Sequence, residues 1–528
     1  MGTHSRRARA LHEIVGLAAL LAFASLAAGC GGAADGGATA TPSPQATPMT
    51  FKVMEFNIEY GGTAIDFAKV VEAVKKADPD VVGLEEAETN TSRLARAAGY
   101  EYWSNAMQVV SRYPLLEPPE TKGSYLYVQL QPGRCVALSN VHLPSDEPGP
   151  QMIRRGKPVD EVLATEEKVR LPYIQGQLEV LPPLAAQGIP VFLLGDFNAP
   201  SHLDYTAEVV GKRDYVKYVV EWPVSMAVEA AGFIDSWRAV HPDPLESLGL
   251  TWWAARPKVD GWNPGPNAPQ DRIDFIYSAG PAAATAAQLA GEQGGPEVTF
   301  GVEPWPSDHR AVVSTFEVTP GPLPVMVAVS PQVATVGDTV TARYVSPAEG
   351  AVELMVVRQG QGPEDALESD PAPAGPGSSG AVELDTRSFG PGDYEALLLD
   401  ASHVVQARAP FWVQRPGARP MLRTDSTSYA SGAPIVVTWK NAPANRWDWV
   451  GVYKKGAADP NVDYYLIWQY TGGAGSGTSA GTVAGAMTMD ADTVEGEPWP
   501  LPAGKYVLYY LLADGYEAVA AASFAVEK

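Results

Sequence analysis

The sequence predicts an α/β domain over residues 51–318, followed by two all-β modules at 323–415 and 420–528. Three observations predict it. Before Pro320-Gly321-Pro322, short apolar strand-like runs alternate with segments of helical spacing. After it, strand-like runs follow one another between Gly, Pro and Asp turns. Within that second half, two stretches recur in the same order, the mark of tandem modules. At roughly 150 residues per domain, 528 residues suit three or four domains. A composition of 45% hydrophobic and 19% charged residues belongs to chains that bury packed cores.

Residues 1–30 read as an address. Arg6, Arg7 and Arg9 precede the nearly continuous apolar run Leu11–Ala28, which ends at Gly29-Cys30. A basic start, a short apolar core and small residues at the exit describe an export signal. The ending resembles a bacterial lipoprotein signal, which implies lipidation of Cys30, anchorage to a membrane and a position outside the cytoplasm. Residues 31–50, rich in Gly, Ala, Thr, Pro and Ser, read as a flexible tether.

In the α/β region, Phe51–Asn57 alternates as a strand does. Ile65, Ala68, Val71 and Val74 keep helical spacing until Asp78-Pro79. Asp80–Leu84, Val136–Leu138 and Val191–Leu194 are apolar runs of buried-strand length, and Glu166–Leu184 reads as a helix ended by Pro182-Pro183. In the second half, Gly390–Leu399 matches Pro502–Leu511, and Val336–Tyr344 matches Ser431–Trp439, which suggests two immunoglobulin-like sandwiches. Pro320-Gly321-Pro322 reads as a boundary crossed by few contacts.

Charge and cysteine usage exclude several functions. With 38 Lys and Arg against 61 Asp and Glu, the net charge of −23 argues against a nonspecific nucleic-acid coat and mildly against long duplex DNA as substrate. Cys30 and Cys135 are the only cysteines, too far apart in sequence and context for a disulfide framework or a thiolate metal site.

Polar residues gather where the strands end. Asp196 and Asn198 leave the strand Val191–Leu194 two positions apart, so both side chains point the same way. Asn57 closes the first strand, Glu85 and Glu86 follow Leu84, and Asn140 and His142 follow Leu138. Arg272 and Asp274 alternate with Ile273 and Phe275, and Ser307-Asp308-His309 precedes another strand. Strand exits are where α/β sheets open onto ligand crevices. Each pair alone reads as a turn or a solvated acid; six such exits in one domain point to a site.

In this order, the residues resemble the endonuclease/exonuclease/phosphatase superfamily: Asn57, Gly-Leu-Glu-Glu at 83–86, Asn-Val-His at 140–142, Gly-Asp-Phe-Asn at 195–198, Asp-Arg-Ile-Asp-Phe at 271–275 and Ser-Asp-His at 307–309. The resemblance implies a four-layered DNase I-like α/β sandwich and hydrolysis of phosphate esters, with diesters preferred and nuclease, phospholipid and monoester substrates all open. It implies that Asn57, Glu86 and Asp308 hold Mg²⁺, with Mn²⁺ as a substitute. The family commonly carries Gln where Glu85 stands, so the ligand role falls to Glu86. Catalytic roles go to His142, Asp196, Asn198, Asp274 and His309, and substrate contacts to Asn140 and Arg272. Trp447-Asp448-Trp449-Val450-Gly451 resembles the core of SKICH-type sandwiches, which implies that the β modules bind a surface partner. The competing expectation is a catalytically silent surface binding protein on the same fold.

Overall fold

The computed structural model describes residues 46–527, apart from 122–123, 147, 260–262, 266, 347–351, 373–378, 458, 461–462, 473–480 and 497. The expected leader and Cys30 lie outside these residues, as does most of the tether. Met49 and Thr50, assigned to the tether from sequence, already pair with Val318 and Glu317 in the first strand. No helix among the described residues is long and apolar enough to cross a membrane.

Two sheets pack face to face before residue 323. One runs in the order Val298–Val302, Ala282–Glu292, Ala311–Val318, Met49–Asn57, Val81–Glu85, Val109–Ser111, Tyr102–Ser104. The other runs Leu115–Leu116, Leu126–Gln131, Arg134–His142, Val191–Asp196, Asp274–Ala279, Ile234–Asp235. The period of two explains the packing. Phe192 and Leu194 meet Phe51, Val53 and Val81 of the facing sheet. Val191 and Leu193 point the other way, onto Ile174 and Leu181 of the helix Leu171–Ala186. The helix Phe67–Ala77 covers the outside of the first sheet with Val70 and Val74 against Phe56 and Leu84. The layers are therefore helix, sheet, sheet, helix, the four-layered DNase I-like sandwich, and strands buried on both faces explain the unbroken apolar runs.

The helix Leu171–Ala186 runs through Pro182 and Pro183, where the sequence predicts a stop. Each proline removes one bond to the carbonyl four residues earlier. Burial of Leu181 and Leu184 on the sheet offsets that loss, since tertiary packing outweighs propensity.

Both C-terminal modules are paired sheets, of three and five strands and of three and six strands among the described residues. Their repeat is visible in detail. In each, a short early strand pairs in parallel with the last strand of its module, Val333–Thr335 on Val405–Gln414 and Ser428–Ala430 on Ala518–Glu527. Tyr394 Oη donates to Phe389 O at 2.6 Å and Tyr506 Oη to Pro502 O at 2.6 Å, both bracing the turn before a strand. The segment after Val318 is not the bare boundary expected of Pro320-Gly321-Pro322. Gly321 and Pro322 pair with Cys135 and Arg134 as an added strand, because the edge there has free backbone groups to satisfy.

Glu55 and Glu85 also point between the two sheets and are fully buried. Burial, followed by the charges of Asp274 and Glu85, raises Glu55 well above the usual carboxyl range. Burial pushes Glu85 up to about 8, against a lowering contact with Glu55. An acid whose folded pKa lies above its unfolded value near 4.5 holds its proton more tightly in the fold. The stability it contributes is complete below that unfolded value and is lost as pH climbs through about 8. The fall in melting temperature between pH 5 and pH 9 should therefore be smaller in Glu85→Gln than in the parent protein. Equal falls in the two proteins would show that Glu85 is not held protonated between the sheets.

Candidate active site

Strand direction builds the site. Met49–Asn57 and Val81–Glu85 run parallel, as do Arg134–His142 and Val191–Asp196. Ala311–Val318 and Asp274–Ala279 run antiparallel to their neighbours. Four carboxyl ends and two amino ends thus meet on one rim. Register then aligns the side chains: Asp196 pairs with both His142 and Asp274. Gly195 makes this exit possible, since its φ is +142° and a Cβ there would meet the Val141 carbonyl oxygen.

Asp196 is the centre. Asn57 Nδ2 donates to its Oδ2 at 3.1 Å, Asn198 N to its Oδ1 at 2.8 Å, and Asn198 Nδ2 to its Oδ2 at 3.3 Å. Two imidazoles face the same Oδ2, His142 Nε2 at 3.6 Å and His309 Nε2 at 3.7 Å. Burial and then Asp274 push Asp196 up to about 6, while His309 and His142 pull it down.

His309 is held on its other side by Asp274, with Nδ1 3.0 and 3.1 Å from the two carboxylate oxygens. Burial disfavours its charge, but Asp274, then Asp196 and Asp308, carry it well above the usual imidazole value. Thr251 Oγ1 accepts from the backbone N–H groups of Ile273 and Asp274, fixing that strand end. Ser307 Oγ donates to Asn57 O and accepts from His309 N, which fastens the histidine loop to the first sheet. His142 has a different partner: its Nδ1 lies 3.2 Å from Asp514 Oδ2, in the last β module. Burial would lower this histidine, but the Asp514 hydrogen bond and then Asp196 raise it to about 10.

Glu85 and Glu86 part company at the strand end. Glu85 points between the sheets, whereas Glu86, at φ 50°, turns to the rim. There its Oε1 accepts from Asn57 Nδ2 at 3.1 Å and its Oε2 from Tyr60 N at 3.2 Å. Asp308 Oδ2 accepts from Trp252 Nε1 at 3.2 Å, and its backbone N–H donates to Glu59. Burial, then Asp308, raise Glu59 to about 7, and burial, then Glu86, raise Glu88 to about 7. Such mutual repulsion among oxygen donors fits a hard divalent cation. Ligand atoms of Asp196, Asp274 and His309 also lie within 4.8 Å of one another. Both oxygens of Asp274 already face His309 Nδ1, so the carboxylates of Glu86 and Asp308 are the better donors; Asn57, expected from sequence as a ligand, turns Nδ2 to Glu86 and Asp196 while its Oδ1 accepts from Glu59 N.

Two expected substrate contacts do not face the rim. Arg272 is 2% exposed, with Nη2 2.8 Å from Asp204 and Nη1 2.6 Å from Asp235; two buried carboxylates claim its guanidinium. Asn140 Nδ2 donates to Leu84 O at 2.8 Å, tying the two sheets together at the site's floor. Thr251 and Trp252, which from sequence could stack on a base or sugar or pack in a loop, instead bond the Asp274 strand end and Asp308. Two residues escaped the sequence reading: Glu59 acts through the Asp308 backbone N–H, which no spacing announces, and Asp514 stands 372 residues from its partner.

The family model described as Endonuclease/Exonuclease/phosphatase family matches residues 54–309. The match spans every candidate site residue from Asn57 to His309. A curated relative, an uncharacterized protein of Caenorhabditis elegans, is 28% identical over 294 residues, 51% of this chain and 92% of its own. Among solved structures, the chain is similar to an endonuclease/exonuclease/phosphatase of Beutenbergia cavernae (14% identity, 69% of this chain and 99% of that one, TM-score 0.32). It is also similar to a mannosyl-6-phosphatase of Bacteroides thetaiotaomicron (13% identity, 50% and 99%, TM-score 0.30).

Within the matched residues the histidines should divide sharply by position. His309→Ala should lower turnover of a phosphate ester roughly 10²–10⁴-fold, the contribution of a positioned acid or base. His202 bonds Ser225 and Glu229 rather than Asp196, and His202→Ala should leave turnover within a few-fold. Comparable losses in both would contradict the assignment.

Proposed function

We propose that the chain is a metal-dependent phosphoric ester hydrolase that cleaves phosphodiesters by in-line attack of water. The observation that carries this reading is the convergence of two carboxylate-held imidazoles on Asp196, beside Glu86. Asp196, kept in place by Asn57 and Asn198, orients the attacking water and takes its proton. His309, aligned by Asp274, presents Nε2 to a phosphoryl oxygen. His142 donates a proton at Nε2 to the departing oxygen, a task that favours diesters, whose leaving group is an alkoxide. Glu86 and Asp308 would hold Mg²⁺ or Mn²⁺, which supplies charge neutralisation at the phosphoryl oxygens. Holding reactants in line accounts for most of the expected rate, since the protein has little covalent chemistry to perform.

The acids around the rim, Glu59, Glu86, Glu88, Asp308, Asp514 and Glu517, support small or single esters over a long polyanionic duplex. A panel of phosphate diesters and monoesters, assayed with EDTA and with added Mg²⁺ or Mn²⁺, tests the reading. Diester hydrolysis should vanish in chelator and return with metal. Glu86→Gln should raise the metal concentration for half-maximal rate far more than Glu85→Gln does. Undiminished hydrolysis in EDTA, or the reverse order of the two variants, would overturn the metal assignment.

A further inference from the structure

We propose that the last β module completes the active site, with Asp514 acting as the positioning residue for His142. This inference rests on the hydrolase reading above. Residues 512–517, Leu-Ala-Asp-Gly-Tyr-Glu, join the strands Gly504–Leu511 and Ala518–Glu527. Ala513 and Asp514 both take left-handed backbone conformations, at φ 49° and 63°, which residues with a Cβ adopt only where their surroundings compel it.

The surroundings that compel it come from Trp447-Asp448-Trp449. Ala513 N donates to Asp448 Oδ1 at 3.0 Å, Asp514 N to Trp447 O at 2.8 Å, and Trp449 Nε1 to Gly515 O at 2.9 Å. Asp448 is itself fully buried and accepts from Tyr510 Oη. The motif that resembles the core of SKICH-type sandwiches is thus the cradle of this turn.

The turn is aimed at the other domain. Gly515 lies so close to Glu88 that a Cβ would stand 2.5 Å from Glu88 Cγ. Gln108 Nε2 donates to Ala513 O at 3.3 Å and Thr89 Oγ1 to Glu517 at 2.9 Å. Arg446, just before the cradle, is 1% exposed and donates to the Asn140 carbonyl, two residues from His142. Contacts of this kind contradict the few-contact boundary expected from sequence.

Asp514 itself is fixed at both oxygens. Tyr470 Oη donates to Oδ1 at 2.7 Å, and His142 Nδ1 faces Oδ2 at 3.2 Å. With Nδ1–H on Asp514, His142 turns Nε2 toward Asp196. The geometry repeats that of Asp274 and His309, where Nδ1 meets a carboxylate and Nε2 faces the same Asp196 oxygen. One orienting carboxylate is supplied by the catalytic sheet and the other by a β module. A β module therefore holds the Nδ1 proton and sets the direction of a catalytic imidazole.

The test combines kinetics with ring NMR on the full chain. Asp514→Asn and Asp514→Ala should each lower kcat roughly 10–100-fold with a smaller change in KM, while melting temperature stays near that of the parent. In the His142→Ala background the same substitutions should change kcat less than twofold, because Asp514 acts only through that imidazole. The His142 Nδ1 proton should be hydrogen-bonded and slow to exchange in the parent, and should exchange faster in Asp514→Asn. If Asp514→Ala does not fold, Tyr470→Phe removes one hydroxyl from the same chain of bonds and should lower kcat several-fold. Impaired His142→Ala beside unimpaired Asp514 variants would overturn this inference and leave the hydrolase reading intact. If no phosphate ester turns over, the hydrolase reading fails, and an unchanged His142 Nδ1 proton in Asp514→Asn would overturn the positioning role independently.

Discussion

Everything at the rim is organised around one buried carboxylate. Asp196 is 1% exposed, yet it stands where two sheets end and where two imidazoles, two amides and a neighbouring acid converge. A carboxylate in such a place is costly unless its charge is matched and its lone pairs are satisfied. The amides of Asn57 and Asn198 satisfy the lone pairs, and the imidazoles supply the matching charge. Those imidazoles in turn need carboxylates behind them to stay protonated on Nδ1. The chain of requirements runs outward from Asp196 to Asp274 and Asp514, and from Asp514 to the cradle in the last module.

The period of two does the placing. Phe192, Leu194 and Asp196 share one face of their strand, so the residues that glue the sheets together and the residue that acts at the rim are set by the same alternation. Asn57 follows Phe51 and Val53 in the same manner, and Asp274 precedes Ile276. A one-residue slip of any of these strands would move core and site together. Glu55 and Glu85 occupy the last inter-sheet positions beneath the rim, where water is excluded and their protons are retained. Charge is thereby concentrated on the rim rather than spread through the layer below it.

Much of this was legible in the chain itself. The apolar runs ending in Asn57, Glu85-Glu86, Asn140-Val141-His142 and Asp196-Phe197-Asn198 announce both the strands and the site, because a strand that is buried on both faces can show polar residues only where it ends. Pro182-Pro183 misled, since a proline pair signals a local cost while the sheet beneath Leu181 and Leu184 supplies a larger gain. Arg272 misled in another way: alternation with Asp274 suggested a shared face, but Asp204 and Asp235, distant in sequence, claim its guanidinium. Asp514 was invisible. It sits in an ordinary-looking Ala-Asp-Gly turn, and only the docking of one module on another gives it a partner. Local patterns report elements and their faces; contacts across 372 residues leave no local trace.

The central claim is that the fold places Asp196 for chemistry and bears its burial as a cost. Asp196→Asn keeps the size and most hydrogen bonds of the side chain while removing the charge. Turnover and thermal stability should be measured together on this variant at pH 8. Turnover should fall roughly 10²–10⁴-fold, while the melting temperature should hold or rise, because a carboxyl pushed up to about 6 by burial is ionised at pH 8 at a cost the amide does not bear. Retained turnover, with or without a change in stability, would contradict the account.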